Sequence, residues 1–520
     1  MDMLPGYVIN TLQFMAVLFV FVVGTALAFL VLVFIRDKLQ TKDAILNNYP
    51  VVGHLRYIFT TLGEFFRQYF FAMDREEMPF NRAERNWVYG AAKDSDNTMS
   101  FGSTKLINEP GTPIFMPCPF PTMEKDAART SPLRIGPFAR KPFDAPSLFN
   151  VSGMSYGALS VPAVRALSLG SARAGCWMNT GEGGLSAHHL EGGGDVVFQI
   201  GTAKYGVRTA DGALDDDKLR QVAAHDSVRM FELKLSQGAK PGKGGILPAD
   251  KVGPDIARIR GIPVGEDSIS PNRHPEVNAI ADLLDVIGHI RGVTGKPTGF
   301  KAVMGDTGWI TALCLEIEKR GPESAPDFIT IDSADGGTGA APMPLMDNVG
   351  LPIRESLPTV AGILRAFGLK ERIRLIASGK LIVPGQVAWA LSAGADFVVS
   401  ARGFMFALGC IQAMRCNKNT CPTGVTTHNK RLQRALNPMD KADRVANYCR
   451  NITHEVETIA HSCGVPEPRQ LKRKHVRIVK GVGASVPLDD LYPDPDPAEA
   501  RAAVEKLAVT PMKAPVPGQH

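Results

Sequence analysis

Several features are scarce in this chain, and each scarcity removes a class of function. Among its 520 residues no stripe of Lys and Arg alternates with stacking aromatics, and the net charge of +6 is mild for that length. A nucleic-acid surface is therefore not expected. Internal repeats and low-complexity runs are missing too, and most of the 51 glycines sit in short motifs. Eight cysteines, at 118, 176, 314, 410, 416, 421, 449 and 463, are too scattered for a disulfide framework. Three of them fall within a dozen positions, which points to a reducing compartment and one metal-type site. The densest basic run, Arg469–Arg477 with Lys472, Arg473 and Lys474, reads as a solvated face, with contact to anionic lipid or a partner as the alternative.

What is present begins with a long apolar run. After a tail over residues 1–11, Leu12 to Ile35 is interrupted only by Gln13, Gly24 and Thr25. At its rise per residue it makes a helix of roughly 36 Å, enough to cross a bilayer. A signal peptide is the main competitor. Against it stand an n-region without Lys or Arg and an apolar run longer than an h-region. Arg36, Lys38 and Lys42 follow the span directly, so the positive-inside bias puts the rest of the chain in the cytoplasm. The expectation is a single pass through the cell inner membrane with a cytoplasmic catalytic domain. Tyr57 to Met73 is rich in aromatics and fits either an interfacial helix or a segment packed on the catalytic domain.

Residues 36–145 read as a membrane-proximal accessory region without a clear period. From 146 to 430 short apolar runs end in glycine-rich or polar turns and alternate with helical stretches, the pattern of a parallel α/β fold. Strands are expected at Leu148–Ser152, Cys176–Asn179, Met230–Lys234, Asp267–Ser270, Thr298–Val303, Phe328–Asp332, Ile373–Ala377 and Asp396–Ser400. Eight units suggest a (β/α)8 TIM barrel, although a doubly wound sheet reads similarly. Residues 431–520 are expected to form a helix over Lys441–Ser462 and a partly extended, Pro-rich tail from Asp490.

In a barrel the C-terminal strand ends converge on one face and build the active site. Nearly every expected strand here ends in such a motif: GMSYG at Gly153–Gly157, NTGEGG at Asn179–Gly184, KLSQGAKPGKGG at Lys234–Gly245 and SPNRH at Ser270–His274. Lys301 follows, then DGGTG at Asp335–Gly339, SGK at Ser378–Lys380 and ARG at Ala401–Gly403. The last two turns follow the seventh and eighth strands, where barrels hold phosphate, with Lys380 and Arg402 adding charge. Lys301 is costly to bury unless it serves an anionic group, or it snorkels. Lys234, Gln237, Lys240 and Lys243 share one glycine-rich loop and favour a carboxylate substrate. Cys410, Cys416 and Cys421, followed by Pro422, suit an iron–sulfur cluster. Zinc with His428 as fourth ligand and three inert buried thiols are the alternatives.

The order of these motifs resembles the FMN-binding synthase domain of glutamate synthase, from about Phe149 to Asn429. The most diagnostic segment is ALGCIQAMRCNKNTCPTGVTTHN, similar to the loop that ligates that family's 3Fe-4S cluster. The resemblance implies that Cys410, Cys416 and Cys421 ligate the cluster. It further implies that FMN is held by Gly153, Met154 and Ser155, by Asp335, Gly336, Gly337, Thr338 and Gly339, by Ser378 and Gly379, and by Ala401, Arg402 and Gly403, to which Lys301 and Lys380 add their charge at the strand ends. Glu182, Lys234, Gln237, Lys240 and Arg260 would hold and process a 2-oxo acid. The implied activity is that of an oxidoreductase acting on CH–NH2 donors, in which reduced flavin delivers a hydride to 2-iminoglutarate. Glu182 or Lys240 is the candidate proton donor.

Two local departures from the resemblance stand out: SGK replaces a double-glycine turn, and Lys243 stands where the family commonly has an acid. No glutaminase-sized segment precedes the expected barrel, and no GxGxxG turn is present. Nitrogen and electrons are thus expected from outside the chain, the electrons from or to a partner protein or the membrane. Self-association is left open. The competing readings are a membrane-associated flavin dehydrogenase of an amino or hydroxy acid, and a non-catalytic electron-transfer subunit.

Overall fold

The computed structural model describes residues 6–128 and 130–508, and these divide into two compact units, Met1–Arg82 and Ala83–His520. In the first unit, Gly6–Leu39 forms one helix, α1, about 51 Å long at its rise per residue. It is the one helix among the described residues long and apolar enough to cross a bilayer. Asp43 caps a short helix over Ala44–Asn48 by accepting from the backbone N–H groups of Ile45 and Leu46. A second long helix, α2 (Gly53–Phe66), continues as one π-type turn over Arg67–Phe71.

The second unit is built on a closed barrel of eight parallel strands. They are β1 (Phe149–Val151), β2 (Met178–Asn179), β3 (Val196–Ile200), β4 (Val228–Lys234), β5 (Thr298–Val303), β6 (Phe328–Asp332), β7 (Arg374–Ser378) and β8 (Phe397–Ser400). β8 closes on β1 through the pairs Val398–Phe149 and Ser400–Val151. Short runs such as FITID are buried at every residue, as expected of strands covered by barrel interior on one side and helices on the other. Helices α3 (Val161–Ala174), α4 (Ala187–Leu190), α5 (Asp216–Ala223), α6 (Ile280–Thr294), α7 (Gly308–Arg320), α8 (Ile353–Ala366) and α9 (Pro384–Ala393) follow β1 to β7 in turn. Helix α10 (Pro438–Ser462) packs on α3 and α9. The α5 N-cap Asp215 accepts from the Asp217 and Lys218 N–H groups at 3.0 and 3.1 Å. Asp215→Ala is expected to cost about 1 kcal/mol and to lower the thermal unfolding midpoint without changing turnover.

The floor of the barrel is a packed apolar plug. Trp177 stacks edge-on against Phe397 at 5.0 Å and Phe143 at 6.4 Å. Phe143 belongs to an antiparallel hairpin, Leu133–Ile135 with Phe143–Ala145, whose Ile135 and Ala145 also join this cluster. Phe328 and Phe397, the first residues of β6 and β8, share it, so the hairpin closes the N-terminal end. The opposite end is left for chemistry.

The TIM barrel expected from the sequence is present, with one exchange of strands. Asp267–Ser270 is not in the barrel. Ser268–Ile269 pairs with Ile246–Leu247 as a small antiparallel hairpin in the insertion between β4 and α6. The missing strand is β3, five consecutive buried residues between two glycine-rich stretches. Two further expectations are refined. The tail beyond Asp490, expected to be partly extended, contains one helix, Pro497–Ala508, and its residues 509–520 lie outside the described residues. The basic run over Arg469–Arg477 is not all solvated. Arg469 donates to the carbonyls of Ser131 and Asp396, and Arg473 is buried against Asp494 and the Tyr492 carbonyl.

Candidate functional site

The C-terminal ends of the strands open into an outer cleft that continues into a second, inner compartment. Lys234, the last residue of β4, borders both. Its ammonium donates to Glu182 Oε1 at 2.9 Å and to the Gln237 side-chain oxygen. Lys240 and Arg260 line the outer cleft with them and are almost fully buried. Arg260 lies with its guanidinium carbon 5.1 Å from the Tyr205 ring centre and donates to Ser268 Oγ at 3.0 Å. Its Nε is buried without a partner. Three cations around one carboxylate leave an excess of positive charge on largely buried side chains, a setting that favours a dianionic ligand.

The charges tune one another. Burial alone would raise the Glu182 carboxyl, but Lys234, Lys240 and Arg260 together bring it below its ordinary range. Burial, aided by repulsion from Lys234, lowers the Lys240 ammonium to about 8. Arg260 is lowered by burial as well. The loop bearing these lysines is held to the end of β6, where the Gly238 N–H donates to Asp332 Oδ2 at 2.9 Å and Ala239 N–H to the Ala334 carbonyl at 2.7 Å.

Glu232, a buried carboxylate on β4, lies in the barrel interior behind Gln199, which lines the inner compartment. Asn179 and Gln199 donate to its Oε1 at 2.8 and 2.7 Å, and the Thr330 hydroxyl donates to Oε2 at 2.5 Å. Above it, Lys301 pairs with Asp332 at 3.2 Å, and Lys380 with Asp335 at 3.1 Å. Ser378, Gly379, Lys380, Ala401 and Arg402 form the wall at β7 and β8. At Gly379 φ is +110°, and a Cβ there would stand 2.4 Å from Ser333 Cβ. Only glycine fits that turn.

Arg402 joins this wall to the cysteine loop. Its Nη2 donates to the Thr338 carbonyl at 2.5 Å, and its Nη1 stands 3.8 Å from Cys416 Sγ. Cys410 and Cys421 are buried, while Cys416 borders the outer cleft. Burial pushes the Cys410 thiol up to about 11, with Arg402 opposing and Cys416 and Cys421 adding to it. For Cys421, burial is outweighed by hydrogen bonds from Thr423 and Thr426, and the thiol is lowered. Among the described residues no three His, Cys, Asp or Glu side chains converge on one ion. His428 Nε2 donates to the Gly157 carbonyl oxygen at 2.8 Å, so that ring nitrogen is committed elsewhere than to a fourth-ligand role.

The expected residues therefore gather, with a few displaced. Gly153, Met154, Ser155, Gly337, Thr338 and Gly339 all border the outer cleft. Asp335 reaches the wall only through Lys380, and Gly336 packs beside Gly238. Gly403 lies behind the wall, where a Cβ would strike the Tyr448 hydroxyl. Sequence reasoning missed Gln199, hidden in the overlooked strand, and Lys251. The Lys251 ammonium is buried and donates to the carbonyls of Cys416 and Thr426, both at 2.6 Å, pinning the cysteine loop to the β4–α6 insertion. Its signal in the sequence is nil, since its partners are backbone atoms far along the chain.

A family described as "Conserved region in glutamate synthase" matches residues 129–466. The chain is 37% identical to the glutamate synthase large subunit-like protein YerD of Bacillus subtilis, over 88% of this chain and 94% of that one. It is 33% identical to the archaeal-type glutamate synthase [NADPH] of Dehalococcoides mccartyi, covering 66% of this chain and 64% of that protein. A glutamate synthase large subunit-like protein of Rhizobium meliloti is 30% identical over 63% of this chain and 74% of its own length.

Proposed function

The chain belongs to the glutamate synthase family of oxidoreductases, and on that footing we propose that it aminates 2-oxoglutarate or a related 2-oxo acid reductively. Nitrogen and electrons come from outside the chain. The observation that carries this reading is the cluster of Lys234, Lys240 and Arg260 around Glu182, in a cleft continuous with a glycine-walled compartment. Two substrate carboxylates match the excess positive charge.

The inner compartment fits FMN. Gly379 leaves room beside Ser333, Lys380 and Arg402 supply cations at the β7 and β8 turns, and Lys301 offers an ammonium for the flavin edge. Cys410, Cys416 and Cys421 share one loop, with Cys416 at the outer cleft and Arg402 Nη1 3.8 Å from its sulfur, and they would each hold a different iron of a 3Fe-4S cluster. When bound, these groups supply the reducing equivalents.

The protein's own residues hold the substrate and move the proton. Lys234 and Arg260 neutralise and orient the carboxylates. Glu182 is kept ionised by the cations around it and has no proton to give at neutral pH. Lys240, charged below about 8, is the proton donor of the pair. As pH rises through about 8 this lysine loses its charge and its proton, so kcat/KM is expected to fall on the alkaline side of that value. Lys240→Met is expected to lose that limb along with most activity. A limb unchanged in the variant would assign it to another group.

We also read α1 as a single crossing of the inner membrane with the second unit cytoplasmic, supported by its length and by Arg36, Lys38 and Lys42 at its end. The test of the catalytic reading is anaerobic purification in mild detergent. FMN at one per chain with about three irons, and an oxidised-cluster EPR signal, are expected. Finding neither flavin nor iron would sink it. The reduced protein should then be reoxidised by 2-oxoglutarate only when ammonia or another amine is present. Flavin reduction by an amino or hydroxy acid, with no reoxidation under those conditions, would favour a dehydrogenase instead.

A further inference from the structure

Helix α2 presents an apolar stripe that its own unit leaves uncovered. Leu55, Ile58, Phe59, Leu62, Phe65 and Phe66 recur at helical spacing and are 40–65% exposed. Phe65 packs against Tyr69 and Phe66 against Phe70 with tilted rings, which carries the stripe into the π-type turn over Arg67–Phe71. Arg56, Thr60 and Arg67 lie on the opposite side of the helix.

The start of α2 is fastened to the end of α1. Asp37, buried near the end of α1, accepts from the Val51 N–H at 2.9 Å and bonds His54 Nε2 at 3.0 Å. Tyr57 donates to Asp43, and Asn47 donates to the Lys38 and Gln40 carbonyls. The stripe thus begins among the contacts that fasten the start of α2 to the end of α1. The charges nearby are mostly positive: Arg36, Lys38, Lys42, Arg56 and Arg67 outnumber Glu64 of α2, Asp37, which is engaged by His54, and Asp43, which is engaged by its cap and Tyr57.

We propose that α2 and the turn after it lie in the headgroup–acyl boundary of the bilayer that α1 crosses, with the aromatic stripe in the acyl region and the basic residues at anionic headgroups. This rests on the reading of α1 as a membrane span. Continuity with that span, aromatic content and charge complementarity all point to lipid as the occupant. The chain would then be held by a crossing helix and an in-plane helix joined at a fixed corner.

The experiment uses the full-length protein in nanodiscs of phosphatidylglycerol and phosphatidylcholine. Tryptophan is placed on the stripe (Phe59→Trp, Phe66→Trp) or opposite it (Thr60→Trp), and the four native tryptophans are subtracted as background. Lipids brominated near the headgroup end of the acyl chain are expected to quench the stripe positions several-fold more than lipids brominated near its methyl end. Thr60→Trp should be quenched little by either. Carbonate extraction separates the two readings: a protein released by carbonate overturns the span itself. A protein that stays in the membrane while its stripe tryptophans escape quenching overturns the in-plane helix. So does cross-linking of Phe59→Cys between two copies without quenching, which would make the stripe a self-association surface.

Discussion

Lys234→Met is expected to lower kcat/KM about 10³-fold, roughly 4 kcal/mol of transition-state stabilisation. The side chain ends β4 where the outer cleft meets the inner compartment, and its ammonium is shared between Glu182 and Gln237. Removing it takes away the cation closest to where substrate and flavin would meet. It also leaves Glu182 buried with less support, which moves that carboxyl back up. Lys234→Arg is expected to rescue little, because a planar fork cannot replace a compact ammonium seated between two oxygens. Steady-state kinetics with 2-oxoglutarate and ammonia, alongside FMN content, checks this. Turnover within about an order of magnitude of wild type, at full flavin loading, would remove Lys234 from the reaction.

Gly379→Val is expected to abolish flavin retention. Its φ of +110° and the 2.4 Å approach of a Cβ to Ser333 leave no room for a side chain. Relief would have to come from parting β6 from β7, since the Ser333 N–H donates to the Ser378 carbonyl at 2.8 Å. The Ser333 hydroxyl is also committed, donating to Asp335 and accepting from the Ile353 N–H. The wall at β7 would therefore open. Gly175 supplies the control: its φ is +69°, yet nothing stands within 4 Å of a Cβ there. Gly175→Ala should cost about 1 kcal/mol of strain and leave flavin bound. Flavin absorbance per chain, with circular dichroism to verify the fold, distinguishes them. Wild-type flavin content in Gly379→Val would place the cofactor elsewhere.

Much of the barrel was legible because its interior strands are apolar at both faces and end in glycine. Thr298–Val303 and Phe328–Asp332 were read with the boundaries the structure has. Val196–Ile200 gives no such signal, because glycines on both sides make it look like part of a long loop. Ser268–Ile269 gives a misleading one, because a two-residue bridge in a hairpin carries the same local signal as a strand end. The pocket residues divide in the same way. Glu182, Lys234, Lys240 and the glycine turns announce themselves as motifs. Gln199 went unseen with its strand. Lys251 was invisible for a different reason, since a lysine that binds carbonyls of a distant loop leaves no pattern in its own neighbourhood.

The carboxylate of Glu232 ties Asn179, Gln199 and Thr330 together from β2, β3 and β6. In register on the next strand, Lys301 stands beside Lys234, and each cation has its own acid, Asp332 and Glu182. Cut between β4 and β5, the chain would yield two halves with opposite defects. The first would hold Glu232 without its threonine, and the second would hold Lys301 and Asp332 without the Gly238 loop. Neither fragment has a finished pocket to offer a ligand. Ligand capture on mixing such halves would thus report ring closure itself, a switch-like readout that strand content alone could not provide.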